Sequence, residues 1–295
     1  MVNPLEWLRS AIGSAIRDKV AGPDPEAREA SIWGADGERW HSPSDAIWSV
    51  NRDAAMYAGG IRALLLQALH PAAMAGVAGH SGYRSDPWGR LQRTGEFIAM
   101  TTYGPMPSAE ALIGRIRTIH ERVRGKTDDG TPYRASDPHL LAWVHAAETH
   151  SFLVAYQRLG PGNLTPSRAD EYVASAAPVG ELLGAVDLPR TEADLVALID
   201  AYRPELRASP AAIDTVNFLL RTPPVPWPAR LGYWMLAAGA ISTLPGWARE
   251  ALNLPTSPWF DRLVGLPLGR FATRVAGWAI ATPMTDEERR EAAKA

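Results

Sequence analysis

The chain contains no cysteine in 295 residues. That absence removes disulfides, thiolate nucleophiles, iron–sulfur clusters, thiolate-ligated heme and cysteine zinc sites together. Any metal must then take histidine, carboxylate or a weaker ligand. Charge of one sign is also lacking: 30 Lys and Arg stand against 32 Asp and Glu, for a net charge of −2. With no long basic run, there is no electrostatic reason to expect nucleic acid as a partner. Long hydrophobic runs are missing too, since the longest, Leu231 to Leu244, is shorter than the ~20 residues that span a bilayer. Near the N-terminus, Arg9, Arg17, Asp18 and Lys19 interrupt the apolar residues, so no secretory signal is evident and a cytoplasmic location is expected. Gly-x-Ser-x-Gly, a P-loop, His-Glu-x-x-His and a dinucleotide-binding glycine fingerprint are all absent. Hydrolase and nucleotide chemistry lose their usual support.

What is present is an apolar fraction of 46% and 11 tryptophans, enough for a substantial core and for pockets that take flat or greasy ligands. The periodicity is helical nearly throughout. Helices are expected over Ala54 to Leu69, ended by His70-Pro71, and over Trp88 to Tyr103, closed by Gly104-Pro105. A third starts with Ser108 as N-cap, carries the stripe Leu112, Ile116, Ile119 and Val123, and stops at Gly125. Ser136-Asp137-Pro138 opens a fourth that runs to Gly160. Further helices fit Pro166 to Leu183, Thr191 to Tyr202, Pro210 to Leu220, Leu231 to Ser242, Pro245 to Leu252, Trp259 to Leu263 and Gly269 to Ala281. Asp36-Gly37 and Asp129-Gly130 occur in polar stretches without flanking alternating runs, so no hairpin is expected.

These patterns predict one all-α domain. Residues 1–47 form an amphipathic and extended N-terminal segment, 48–222 a helical core, 223–284 C-terminal helices on the same core after a proline-rich break, and 285–295 a charged tail. Leu5, Leu8, Ile12 and Ile16 make an apolar stripe that suits docking on the protein's own core or peripheral contact with a membrane.

Three groups of residues carry chemistry. Arg90, Arg93, Thr94 and Phe97 share one helical face, where two guanidiniums stand beside a hydroxyl and an aromatic ring. Solvated surface is the bland account of such arginines. His120 shares an apolar face with Ile113, Ile116 and Val123, and an imidazole there serves either as a hydrogen-bonded core residue or as an iron ligand. His145 and Glu148 repeat the situation at i and i+3, and a buried Glu148 calls for an arginine or histidine partner. A diiron bundle would need Glu-x-x-His units, whereas His145-x-x-Glu148 runs in the reverse order. His70 and His80 fit a capping role and a turn.

Several segments recur together: Arg62-Ala63-Leu64-Leu65-Leu66-Gln67-Ala68-Leu69-His70-Pro71, His80-Ser81, Gly89-Arg90-Leu91-Gln92-Arg93-Thr94, Tyr103-Gly104, His120-Glu121-Arg122-Val123-Arg124-Gly125, Tyr133-Arg134-Ala135-Ser136-Asp137-Pro138 and Leu141-Ala142-Trp143-Val144-His145-Ala146. In this order they resemble the oxygenase family that includes MpaB and the latex-clearing rubber oxygenases, over about Trp48 to Gly184.

The resemblance implies a globin-like helical fold holding heme b, with His120 as the axial iron ligand and 48–222 as the heme-binding core. Arg90 and Thr94 match the facing helix's Arg-x-x-Lys-Thr pattern. Arg93 stands where the rubber-cleaving branch has lysine. Arginine stays protonated and has no lone pair to ligate with, so Arg93 is left to donate hydrogen bonds to oxygen or to a heme propionate. The implied function is oxidation of a small apolar substrate, an isoprenoid among the candidates, by dioxygen. Arg90, Arg93 and Thr94 would be the catalytic set, with His145 also in the cofactor pocket. Hydroxylation, dehydrogenation and peroxide-driven oxidation are alternative reactions, and heme binding or sensing without turnover is the non-enzymatic one. The implied chemistry calls for an electron donor that no motif identifies.

Overall fold

The computed structural model describes residues 6, 7, 9–14, 24–80, 82, 84–162 and 164–280. Of the predicted N-terminal stripe, Leu5, Leu8 and Ile16 lie outside the described residues, as does the charged tail. The architecture is all-α apart from one short hairpin.

In chain order the helices are α1 (Pro25–Ile32), α2 (Ala46–Arg52), α3 (Ala55–Gln67), α4 (Pro71–His80), α5 (Pro87–Tyr103) and α6 (Met106–Arg122), followed by strands β1 (Arg124–Lys126) and β2 (Pro132–Arg134). Then come α7 (Pro138–Leu159), α8 (Pro166–Leu183), α9 (Glu192–Ala201), α10 (Pro210–Arg221), α11 (Arg230–Ser242), α12 (Gly246–Ala251) and α13 (Leu266–Ile280). A helical turn at Pro258–Phe260 and a π-turn at Asp261–Gly265 lead into α13.

Local chemistry explains most of these boundaries. Asp137 opens α7 by accepting hydrogen bonds from the amides of His139 and Leu140, with Pro138 placed where no amide donor is needed. Thr165, Thr191 and Ser209 cap α8, α9 and α10 in the same way. Between α3 and α4 the chain bends by 109° at Pro71. His70 Nδ1 there accepts from Ala72 N at 3.2 Å, so it caps the start of the following helix.

Four boundaries differ from the sequence reading. Residues 25–32, expected to be extended, are helical, with Asp24 as cap. His80 ends a helix, where a turn was expected. Ser108 lies inside α6, which starts at Met106, and Gly125 is a strand residue because Val123 has already gone extended. The hairpin β1–β2 was not expected, and its turn is Asp129-Gly130. Gly130 supplies the left-handed φ of +86°, while Asp129 Oδ1 accepts from Thr127 Oγ1 and Thr131 N. Turn chemistry outweighed the missing alternation.

The centre of the molecule is α3 packed on α7. Leu65, Leu66, Leu69, Trp143 and Leu153 are fully buried there. Each such side chain contributes about 2 kcal/mol relative to exposure. Ala55, Ala58 and Gly59 let the helices close up, since a Cβ on Gly59 would lie 2.8 Å from the Phe152 ring. α11 and α13 cover the far side of α3.

Candidate functional site

Five helices converge on a cavity of about 120 Å³. α2 brings Asn51, α5 brings Phe97, Ile98, Thr101 and Thr102, and α6 brings His120. α7 contributes His145, Glu148 and Thr149 from one face, and α8 closes the space with Tyr172, Val179 and Gly180. The i, i+3 and i+4 spacing on α7 places its three polar groups side by side.

Burial sets the protonation of these groups. His120 sits in the last turn of α6, where the helix dipole favours a cation, yet desolvation wins and lowers its pKa. Its ring is therefore neutral near pH 7. Nδ1 is buried without a hydrogen-bond partner. His145 is pushed down to about 4 by desolvation, helped by the nearby charge of Arg190, and its Nε2 is 3.4 Å from Thr149 Oγ1. Glu148 is pushed up to about 7 by desolvation. The expected arginine or histidine partner for Glu148 is missing: it makes no ion pair among the described residues. A carboxyl facing a chamber can keep its proton instead of recruiting a cation.

Gly180 makes the room beside His145, because a Cβ there would lie 2.9 Å from His145 Nδ1 and 2.5 Å from Leu188 Cδ1. Pro178, two residues earlier, removes the helical donor to the Ala174 carbonyl. Arg190 Nη1 replaces it, donating at 3.2 Å, while Nη2 pairs with Glu181 Oε1 at 2.5 Å. On α2, Asn51 Nδ2 donates to Thr102 Oγ1 at 2.8 Å, and Asn51 Oδ1 is left buried without a partner.

The structure brings His120 and His145 together and leaves Arg90, Arg93 and Thr94 off the lining. Arg93 is exposed, with Nη1 3.2 Å from Asp86 Oδ2 at the cap of α5, and Thr94 is exposed beside it. Arg90 is half-buried. Phe97 lines the cavity, whereas the polar residues of the same stripe lie further out, towards the helix cap. Sequence reasoning missed Asn51, Thr101, Thr102 and Tyr172. It also missed the setting of Arg62, which is fully buried with Nη1 donating to Ser151 Oγ at 2.7 Å and Nε to the Thr243 carbonyl at 3.2 Å. With no carboxylate partner, desolvation lowers Arg62 to about 9. Its place in the Arg62-Ala63-Leu64 segment was the available signal.

A larger open cleft of about 480 Å³ lies outside, with Val179 lining both spaces. Its acids are already engaged: Glu171 accepts from Ala46 N and Arg168, and Asp45 accepts from Ser42. The inner cavity is where unengaged polar groups meet.

The family model described as "ER-bound oxygenase mpaB/B'/Rubber oxygenase, catalytic domain" matches residues 48–292. The chain belongs to this oxygenase family. The match reaches past the Trp48 to Gly184 segment and takes in the C-terminal helices. Among curated proteins, the MpaB/rubber oxygenase chain is 29% identical over 97 residues to the uncharacterized protein Mb2261 of Mycobacterium bovis and equally to the uncharacterized protein Rv2237 of Mycobacterium tuberculosis. Each match covers 33% of this chain and 38% of the relative, so the chain spans under half the length of either. No solved structure matches.

The residues fit a heme in donor chemistry. Among the described residues no cluster of three or more His, Asp or Glu gathers, so a metal held by His120 must bring its other ligands with it, as a tetrapyrrole does. His120 is neutral, unengaged at Nδ1 and on the cavity wall. At about 120 Å³ the cavity is smaller than the macrocycle.

Proposed function

We propose that this protein is a heme b-dependent oxygenase in which His120 would hold the iron, acting on a small apolar substrate, an isoprenoid among the candidates. The observation that carries the reading is His120 itself: a neutral imidazole with no protein partner on the wall of a cavity lined by both apolar and polar side chains, in a chain of an oxygenase family.

Bound heme would supply the redox chemistry with dioxygen. The chain's own groups do the rest. Phe97, Ile98, Val144 and Phe152 give an apolar substrate its contact surface. His145 stays neutral near pH 7, and its ring accepts or donates a hydrogen bond at Thr149 Oγ1. Glu148 holds its carboxyl proton up to about neutral pH, so it can give that proton up and regain it within the working range. Arg90, Arg93 and Thr94 lie a turn beyond the lining, and Arg93 is engaged by Asp86.

Titrating the purified protein with hemin tests this reading. A Soret band at one b-type heme per chain is expected, with loss of occupancy and a changed spectrum in His120→Ala. Unchanged heme content and spectrum in His120→Ala would remove the residue from the axial role. The outward position of Arg93, paired with Asp86, favours a second reading, heme binding without turnover. Reductant-driven oxygen uptake with apolar substrates separates the two, since a binding protein leaves the oxygen level flat.

A further inference from the structure

Surface helices of a soluble protein normally turn polar residues outward. The C-terminal helices do the opposite. Trp227 is 81% exposed, Leu231 and Leu263 68%, and Phe271 59%, with Trp234 and Trp278 also exposed. On α13 the outward positions 267, 271, 274 and 278 follow helical spacing and read Pro, Phe, Arg, Trp. α11, the π-turn and α13 pack against one another, so these exposed side chains lie on neighbouring elements.

Within 227–234 and 258–280 the unengaged charge among the described residues is positive. Arg262 and Arg274 make no hydrogen bond or ion pair among the described residues. The only carboxylate within 227–234 and 258–280 is Asp261, and it is held by Arg249 at 2.8 Å. The N-terminal segment continues the face: Arg9 Nε donates to the Trp278 carbonyl at 3.1 Å, and neighbouring Trp7 is 65% exposed.

We propose that this face is a docking surface for an anionic lipid bilayer. Tryptophan, phenylalanine and leucine beside unpaired arginines match the interfacial layer of a membrane, where indole rings sit among headgroups and guanidiniums meet lipid phosphates. No single helix is long and apolar enough to cross a membrane, so the contact is with the surface. A second copy of the chain suits the face less well. In a two-fold pair the face meets itself, setting Arg262 and Arg274 against arginines, while the one carboxylate within 227–234 and 258–280, Asp261, is already held by Arg249.

The test is flotation of the full chain with vesicles of phosphatidylcholine alone and of equal parts phosphatidylcholine and phosphatidylglycerol. Two double variants at exposed positions accompany it, Leu263→Ser with Phe271→Ser and Arg262→Glu with Arg274→Glu, each checked by circular dichroism. Wild type should float with the anionic vesicles, less so at high salt, and each double variant should lower the partition coefficient by about tenfold or more. Absence of flotation overturns the proposal, and so do variants that float like wild type. A dimer in equilibrium sedimentation that Leu263→Ser with Phe271→Ser abolishes would assign the face to a second copy and overturn it as well.

Discussion

Glu148 and His145 stand one helical turn apart on the cavity wall, and desolvation moves their pKa values towards each other's ordinary ranges. The two have opposite effects on stability. A carboxyl raised from 4.5 to about 7 weakens the folded state as pH rises, starting where the unfolded chain ionises and ending above about 7. An imidazole lowered from 6.5 to about 4 weakens it as pH falls, starting near 6.5 and ending below about 4. Between 4.5 and 6.5 the slopes oppose each other. Glu148→Gln should therefore gain up to about 3 kcal/mol above neutral pH. The gain should vanish near pH 4.5, and the acid-side loss due to His145 should stand uncovered. Urea denaturation midpoints across this range measure it, and equal midpoints for variant and wild type at alkaline pH would place the Glu148 carboxyl in contact with water. Both residues were legible in the sequence as polar groups at helical spacing within apolar stripes. Their lack of charged partners was not, because partners come from helices distant in the chain. Asn51 and Thr102 show the same limit: they lie 51 residues apart, and only packing makes them neighbours.

Among the elements, α11 and α13 cross with their backbones close together at two glycines. A Cβ built on Gly239 would lie 2.7 Å from the Gly269 Cα, and the reverse distance is the same. Neither backbone can retreat cheaply, because Leu159 packs on both glycines. Gly239→Ala or Gly269→Ala should cost about 1–3 kcal/mol in stability, despite alanine's better helix propensity. A thermal midpoint that rises on either substitution would show that the helices separate freely. Helix boundaries with a local cause were readable in advance: Asp137-Pro138 and Thr165-Pro166 mark starts that the structure keeps. The hairpin's Asp129-Gly130 turn was visible in the sequence, whereas the contact that ties it to the rest of the molecule was not. Arg207 Nη1 reaches Asp128 at 2.8 Å and Nη2 reaches Asp129 at 2.9 Å, across some eighty residues of sequence. α4 was missed for a related reason, since its alanines and glycines carry little period and its start depends on the His70 cap.

At the scale of the whole molecule, helical class followed from periodicity and the lack of strand signals, whereas the shape of the cavity needed all five of its helices in place. The proline-rich stretch at 223–228 suggested a break before a C-terminal portion that still shares the core. The end of α7 shows how close that sharing is. The last carbonyls of a helix have no partner within it. Here Thr273 Oγ1 donates to the Leu159 carbonyl and Arg270 Nε to the Arg158 carbonyl, both at 2.8 Å. The helix that carries His145 and Glu148 is thus finished by side chains from the final helix. Heat should dissolve the two portions in a single cooperative transition, with calorimetric and van't Hoff enthalpies equal. Two resolved transitions would mean that the seam at α7 is weaker than either side. A nick in the proline-rich stretch should leave both fragments together, each lacking what the other needs to stand alone.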